Sequence, residues 1–101
     1  MNRYALRTTE TQDGKLVQWR LVDKAVRVVR LRVTGDSSPA YQYPKTPLPS
    51  AQPGSVFFDD DRLPDLVQVR AWFPKHETLW DALRDDYWAA LLHTVDKRHK
   101  P

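Results

Sequence analysis

Residues 25–33, Ala-Val-Arg-Val-Val-Arg-Leu-Arg-Val, interleave three arginines with aliphatic residues. A guanidinium is always charged and does not enter an apolar core without a partner. A strand of this composition must therefore keep one side wet. Strict alternation would put Val26 and Val28 on the same side as Arg30 and Arg32. A one-residue bulge at Val28-Val29 shifts the phase once and removes the conflict. Val26, Val28, Leu31 and Val33 then face the core, and Arg27, Arg30 and Arg32 face away. The rival is a central strand covered on both sides, its arginines lying across other residues.

The preceding residues extend this strand into a meander. Gln12-Asp13-Gly14-Lys15 separates two alternating stretches, 3–11 and 16–22, and Asp-Gly is the favoured two-residue type I′ hairpin turn. With Asp13 and Gly14 as the loop, Thr8 lies opposite Trp19, Leu6 opposite Leu21 and Arg7 opposite Arg20. Tyr4, Leu6, Val17, Trp19 and Leu21 form the core side; Arg3, Arg7, Gln18 and Arg20 form the other. Six arginines (Arg3, Arg7, Arg20, Arg27, Arg30 and Arg32) are thus expected on one exposed sheet face. Charge follows the same division. Residues 1–33 carry eight basic against three acidic side chains, net +5, and the remainder eight against ten, net −2.

The rest of the chain supplies cover for that meander. Residues 34–55 hold five of the eight prolines and no apolar period, which predicts a long, extended loop. Tyr41 and Tyr43 lie in it, placed either to stack on an unpaired base or to fold back onto the core. Over 56–73 we expect strands around an acidic turn: Val56-Phe57-Phe58, then Asp59-Asp60-Asp61, then Leu66–Phe73, with Val67, Val69, Ala71 and Phe73 on one side. Pro74 ends that run. A helix is predicted over 76–99, entered through a capping box at Thr78–Asp81 or one turn earlier after Pro74. Its stripe is Leu79, Trp80, Leu83, Tyr87, Ala90, Leu91 and Thr94. Trp88, Leu92 and Val95 widen the apolar arc, so the proline-rich loop or a second copy should cover that edge. The fold class is α+β: a three-stranded antiparallel β-meander, a proline-rich loop, one or two further strands, and a C-terminal amphipathic helix packed on the sheet.

At 101 residues this reads as one domain, 1–101. The chain has no cysteine, which removes disulfides and thiolate chemistry and agrees with a reducing cytoplasm. No stretch is apolar enough for a leader or a membrane span, so a cytoplasmic protein is expected. Diagnostic catalytic patterns are missing. Asp59–Asp61 lack calcium-loop spacing and read as a solvated turn. His76, His93 and His99 have no metal-ligand or nucleophile partner spacing, and three glycines are too few for a phosphate-cradling loop. No cofactor or metal is expected and no enzyme is indicated, although a site assembled only across the fold would be invisible here. The expectation is a small binding module whose basic face engages an anionic partner, RNA or DNA first. The alternative is a protein-protein interaction module, such as an inhibitor or assembly factor of phage or mobile-element type, on an acidic protein surface. A homodimer through Trp88, Leu92 and Val95 is also open.

Overall fold

The computed structural model describes residues 5–99, with side chains placed through residue 93. Arg3, Tyr4, Lys100 and the side chains of Thr94, Val95, Lys97 and Arg98 lie outside the described residues. Among the described residues six strands form one mixed sheet: β1 (Arg7–Glu10), β2 (Lys15–Val22), β3 (Ala25–Val33), β4 (Tyr41–Gln42), β5 (Thr46–Pro47) and β6 (Ser55–Phe57). Their spatial order is β1-β2-β3-β6-β4-β5, antiparallel except for the parallel β4–β6 pair. Two helices, α1 (Leu66–Trp72) and α2 (Glu77–His99), lie on one face, α2 across β1 and β2 and α1 against β3. The α+β class and the C-terminal helix on the sheet are as expected.

The first hairpin differs from expectation by one residue. Thr11 N–H donates to Lys15 O at 2.9 Å and Gly14 N–H to Thr11 O at 3.2 Å, so the loop is Gln12-Asp13-Gly14 rather than Asp13-Gly14. Gly14 sits at φ +87°, the left-handed position that completes a three-residue loop. The type I′ geometry appears instead at the β2–β3 turn. There Asp23 and Lys24 take φ +52° and +69°, and Tyr87 Oη donates to Lys24 O at 2.7 Å. The one-residue change re-pairs β1. Arg7 now faces Trp19, Thr9 faces Val17, and Leu6 is left exposed, not in the core.

The bulge in β3 is present where the pattern requires it. The β2–β3 register steps from Gln18↔Arg30 to Trp19↔Val28, leaving Val29 as the extra residue. Its surroundings use the freed backbone groups: Val28 N–H donates to Pro64 O at 2.8 Å, and Val29 O accepts from Phe58 N–H at 3.2 Å. Val17, Trp19, Val26, Val28 and Leu31 are buried beneath the helices with Val69, Leu79, Trp80 and Leu83.

The proline-rich segment is not a free loop. It contributes β4 and β5, with Tyr43 N–H donating to Phe57 O at 2.8 Å and Leu48 N–H to Ala40 O at 3.0 Å. Residues 66–72, expected as a strand, are helical. Asp65 accepts from Gln68 N–H at 2.8 Å, and Gln68 Oε1 accepts from Asp65 N–H at 3.0 Å, a reciprocal capping box. Helical spacing puts Leu66, Val69 and Phe73 inward and separates Val69, 0% exposed, from Val67, 77% exposed. A strand would have kept those two valines on one side. The helical chain then passes through a 3₁₀ turn at Pro74–His76 directly into α2, the earlier of the two predicted starts. Trp88 and Leu92 are 56% and 59% exposed, and the proline-rich segment packs elsewhere.

Candidate functional site

Because β3 resumes alternation after its bulge, Arg27, Arg30 and Arg32 all project from the face that no helix covers. Arg20 on β2 lies directly opposite Arg27, on that same face. The structure therefore brings together four of the six predicted arginines. Each is half-buried, as long cationic side chains on a sheet surface commonly are. Like charges directly opposed in a sheet are destabilising by some tenths of a kcal/mol.

Intramolecular compensation is thin. The ion pairs among the described residues join Lys15 to Asp13, Arg70 to Asp81 and Glu77, and Arg84 to Asp81 and Asp85; none reaches these four arginines. The Nε atoms of Arg20, Arg30 and Arg32 are shielded from water and have no hydrogen-bond partner among the described residues. Arg27 is more engaged. It donates to Leu63 O at 3.3 Å and shares an open groove of about 400 Å³ with Asp60, Asp61 and Arg62. The acidic run thus borders one corner of the face, and no ion pair among the described residues reaches the rest. Asp59 has a structural use: its carboxylate accepts from Asp61 N–H at 3.0 Å, closing the turn.

The other predicted residues are elsewhere. The re-paired β1 turns Arg7 to the helix side, where its guanidinium lies 5.6 Å from the Trp19 ring centroid, beside Asp86 and His93. Arg3 lies outside the described residues. Tyr41 is paired with core-facing Val56, and burial raises its phenol above the ordinary value. Tyr43 stacks on Trp72 at 4.5 Å and 13°, with Phe58 and Phe73 completing an aromatic cluster. Both tyrosine rings have folded back onto the core.

Two features were missed in the sequence. On the arginine face, β6 places Phe57 directly opposite Arg30, 5.8 Å from its guanidinium, and β4 places Gln42 opposite Phe57. Only long-range strand pairing creates that row. On the helix side, a cavity of about 250 Å³ is lined by Leu31, Tyr41, Phe73, Asp36 and His76. The His76 Nδ1 is buried without a partner, and burial, with Lys15 nearby, pulls the imidazole below its ordinary value. Among the described residues no group of three or more His, Asp or Glu side chains is arranged to hold a metal ion. Nor is any described helix long and apolar enough to cross a membrane.

Comparison with known proteins finds no matching family model, no matching curated protein and no matching solved structure. Function must be argued from the face itself.

Proposed function

We propose that this chain is a non-enzymatic nucleic-acid-binding module that uses the uncovered sheet face, in a cytoplasmic setting. One observation carries the reading: Arg20, Arg30 and Arg32 stand together without an ion pair among the described residues, each with a shielded Nε that finds no hydrogen-bond partner there. A donor shielded from water and left without a partner is unfavourable. Gathering such groups is unfavourable unless a ligand uses them. Phosphate oxygens would supply counter-charge and charge-assisted hydrogen bonds to the outer guanidinium nitrogens, which offsets the cost of the gathered cations. A second reading, a protein partner, is favoured by the mixed-sign corner of Arg27, Asp60, Asp61 and Arg62, since charges of both signs suit the polar rim of a protein interface, while Arg20, Arg30 and Arg32 would meet the partner's acidic surface.

The test is fluorescence anisotropy with labelled RNA and DNA across a salt series. Neutralising three or four phosphates of a single strand predicts a slope of log affinity against log salt of about −2 to −3, a roughly 20- to 60-fold loss between 50 and 200 mM. The triple variant Arg20→Gln/Arg30→Gln/Arg32→Gln should lose binding and keep its melting transition, while Arg7→Gln, altered on the other face, should bind normally. Absence of binding at 50 mM salt would discard the proposal in favour of a protein partner.

A further inference from the structure

The registers of β2, β3, β6 and β4 align one continuous row on the arginine face: Gln18 opposite Arg30, Arg30 opposite Phe57, Phe57 opposite Gln42. Three interstrand steps make this row about 14 Å wide. Phe57 is not part of the core. Its neighbours Val56 and Phe58 are buried among the core residues, and alternation turns Phe57 to the side without helices. There it is half-buried, with a guanidinium near its ring and an amide side chain on each flank of the Arg30–Phe57 pair.

The chemistry of this row is more specific than a basic surface. At 5.8 Å the Arg30–Phe57 contact lies near the outer limit of a cation–π interaction, so a base stacking on the ring would give up little by displacing it. An aromatic ring beside uncompensated cations offers a base a stacking surface and its phosphate a counter-charge. Glutamine amides both donate and accept, which matches the exposed edges of an unpaired base. A duplex keeps its bases stacked inside and cannot present one to a ring on a sheet. We infer that the target is single-stranded RNA or DNA, one unpaired base stacking on Phe57, Gln18 and Gln42 meeting base edges, and Arg20, Arg30 and Arg32 holding phosphates. This inference rests on the nucleic-acid reading above and narrows its substrate class.

The test uses the full chain, a labelled ten-nucleotide single strand carrying one 2-aminopurine, and a labelled duplex of the same sequence. The wild-type protein should bind the single strand in preference to the duplex and quench the 2-aminopurine by stacking. Phe57→Leu should weaken single-strand binding roughly 5- to 150-fold and abolish the quench while leaving the salt slope unchanged. Phe57→Tyr should retain both, which separates lost stacking from lost folding. Salt-dependent binding that the triple arginine variant abolishes but Phe57→Leu leaves intact overturns the stacking inference and leaves the anionic-face reading standing. Failure of the wild type to bind either oligonucleotide at 50 mM salt overturns both.

Discussion

The two faces of the sheet are built from the same strands and obey opposite rules. Beneath the helices, Val17, Trp19, Val26, Val28 and Leu31 are almost fully buried, and the polar atoms among them have partners. Trp19 Nε1 donates to Thr9 Oγ1 at 3.0 Å, and that hydroxyl donates to Asp86 Oδ2 at 2.6 Å, tying β2 to β1 and to α2. One residue over, on the opposite face, Arg20 opposes Arg27, and Arg20, Arg30 and Arg32 hold Nε atoms without a hydrogen-bond partner among the described residues. Adjacent positions of one strand thus separate a side tuned for stability from a side that sacrifices some of it. Local relaxation of packing and pairing rules in an otherwise consistent fold is the pattern expected of a binding surface, the role proposed for this face.

Substitutions at matched positions on the two faces should therefore diverge. The largest effect is expected at Leu31→Ala, which opens a cavity in the buried layer and should cost about 2–5 kcal/mol in urea unfolding. A loss below 1 kcal/mol would mean that this layer is not tightly packed. Thr9→Val should come next. It strands Trp19 Nε1 and leaves Asp86 without its donor, for about 1.5–3 kcal/mol, and a double-mutant cycle with Asp86→Ala should show strong coupling. Across the sheet, Arg20→Gln relieves the opposition to Arg27 and should raise stability by a few tenths of a kcal/mol while weakening oligonucleotide binding. If it instead unfolds the protein, the arginine face is structural and the contrast fails.

The smallest effect concerns pH. His76 has a folded-state value lowered from 6.5 by burial and by Lys15, with Lys75 acting the same way and Asp36 and Asp13 opposing. The unfolded chain therefore binds this proton more readily than the folded one. Stability should be full above about 6.5 and decline as pH falls from there through the lowered folded value. The Asp13 and Asp36 carboxylates, both lowered from 3.8 by hydrogen bonds from Thr11 and Ser38, act only at more acid pH and do not mask this window. Urea midpoints between pH 7.5 and 5 should fall in the wild type and stay flatter in His76→Gln. Equal slopes would remove His76 from the account.

What was readable in advance follows the range of the interactions. The bulge at Val28-Val29 was legible because the chain's own period-two pattern breaks there, and no other molecule or segment is needed to see it. The C-terminal helix was legible from its apolar stripe. The first hairpin was misread because Asp-Gly serves both two- and three-residue loops; the Thr11–Lys15 hydrogen bond selects the longer one, and Arg7 changes face with it. Helix α1 was misread because Leu-Val-Gln-Val-Arg-Ala-Trp-Phe satisfies both periods over so short a run. The reciprocal Asp65–Gln68 cap was the signal that would have decided it.

By itself, then, the sequence determined which strands alternate, where their phase must slip and that the cations of β3 cannot be buried, since each follows from the local chemistry of neighbouring residues. Tertiary structure alone decided that β6 lies beside β3 and β4 beside β6, which sets Phe57 and Gln42 in line with Arg30 and folds Tyr41 and Tyr43 onto the core. Strand pairings across tens of residues depend on the summed burial and hydrogen bonding of the whole sheet, and no single segment carries that sum.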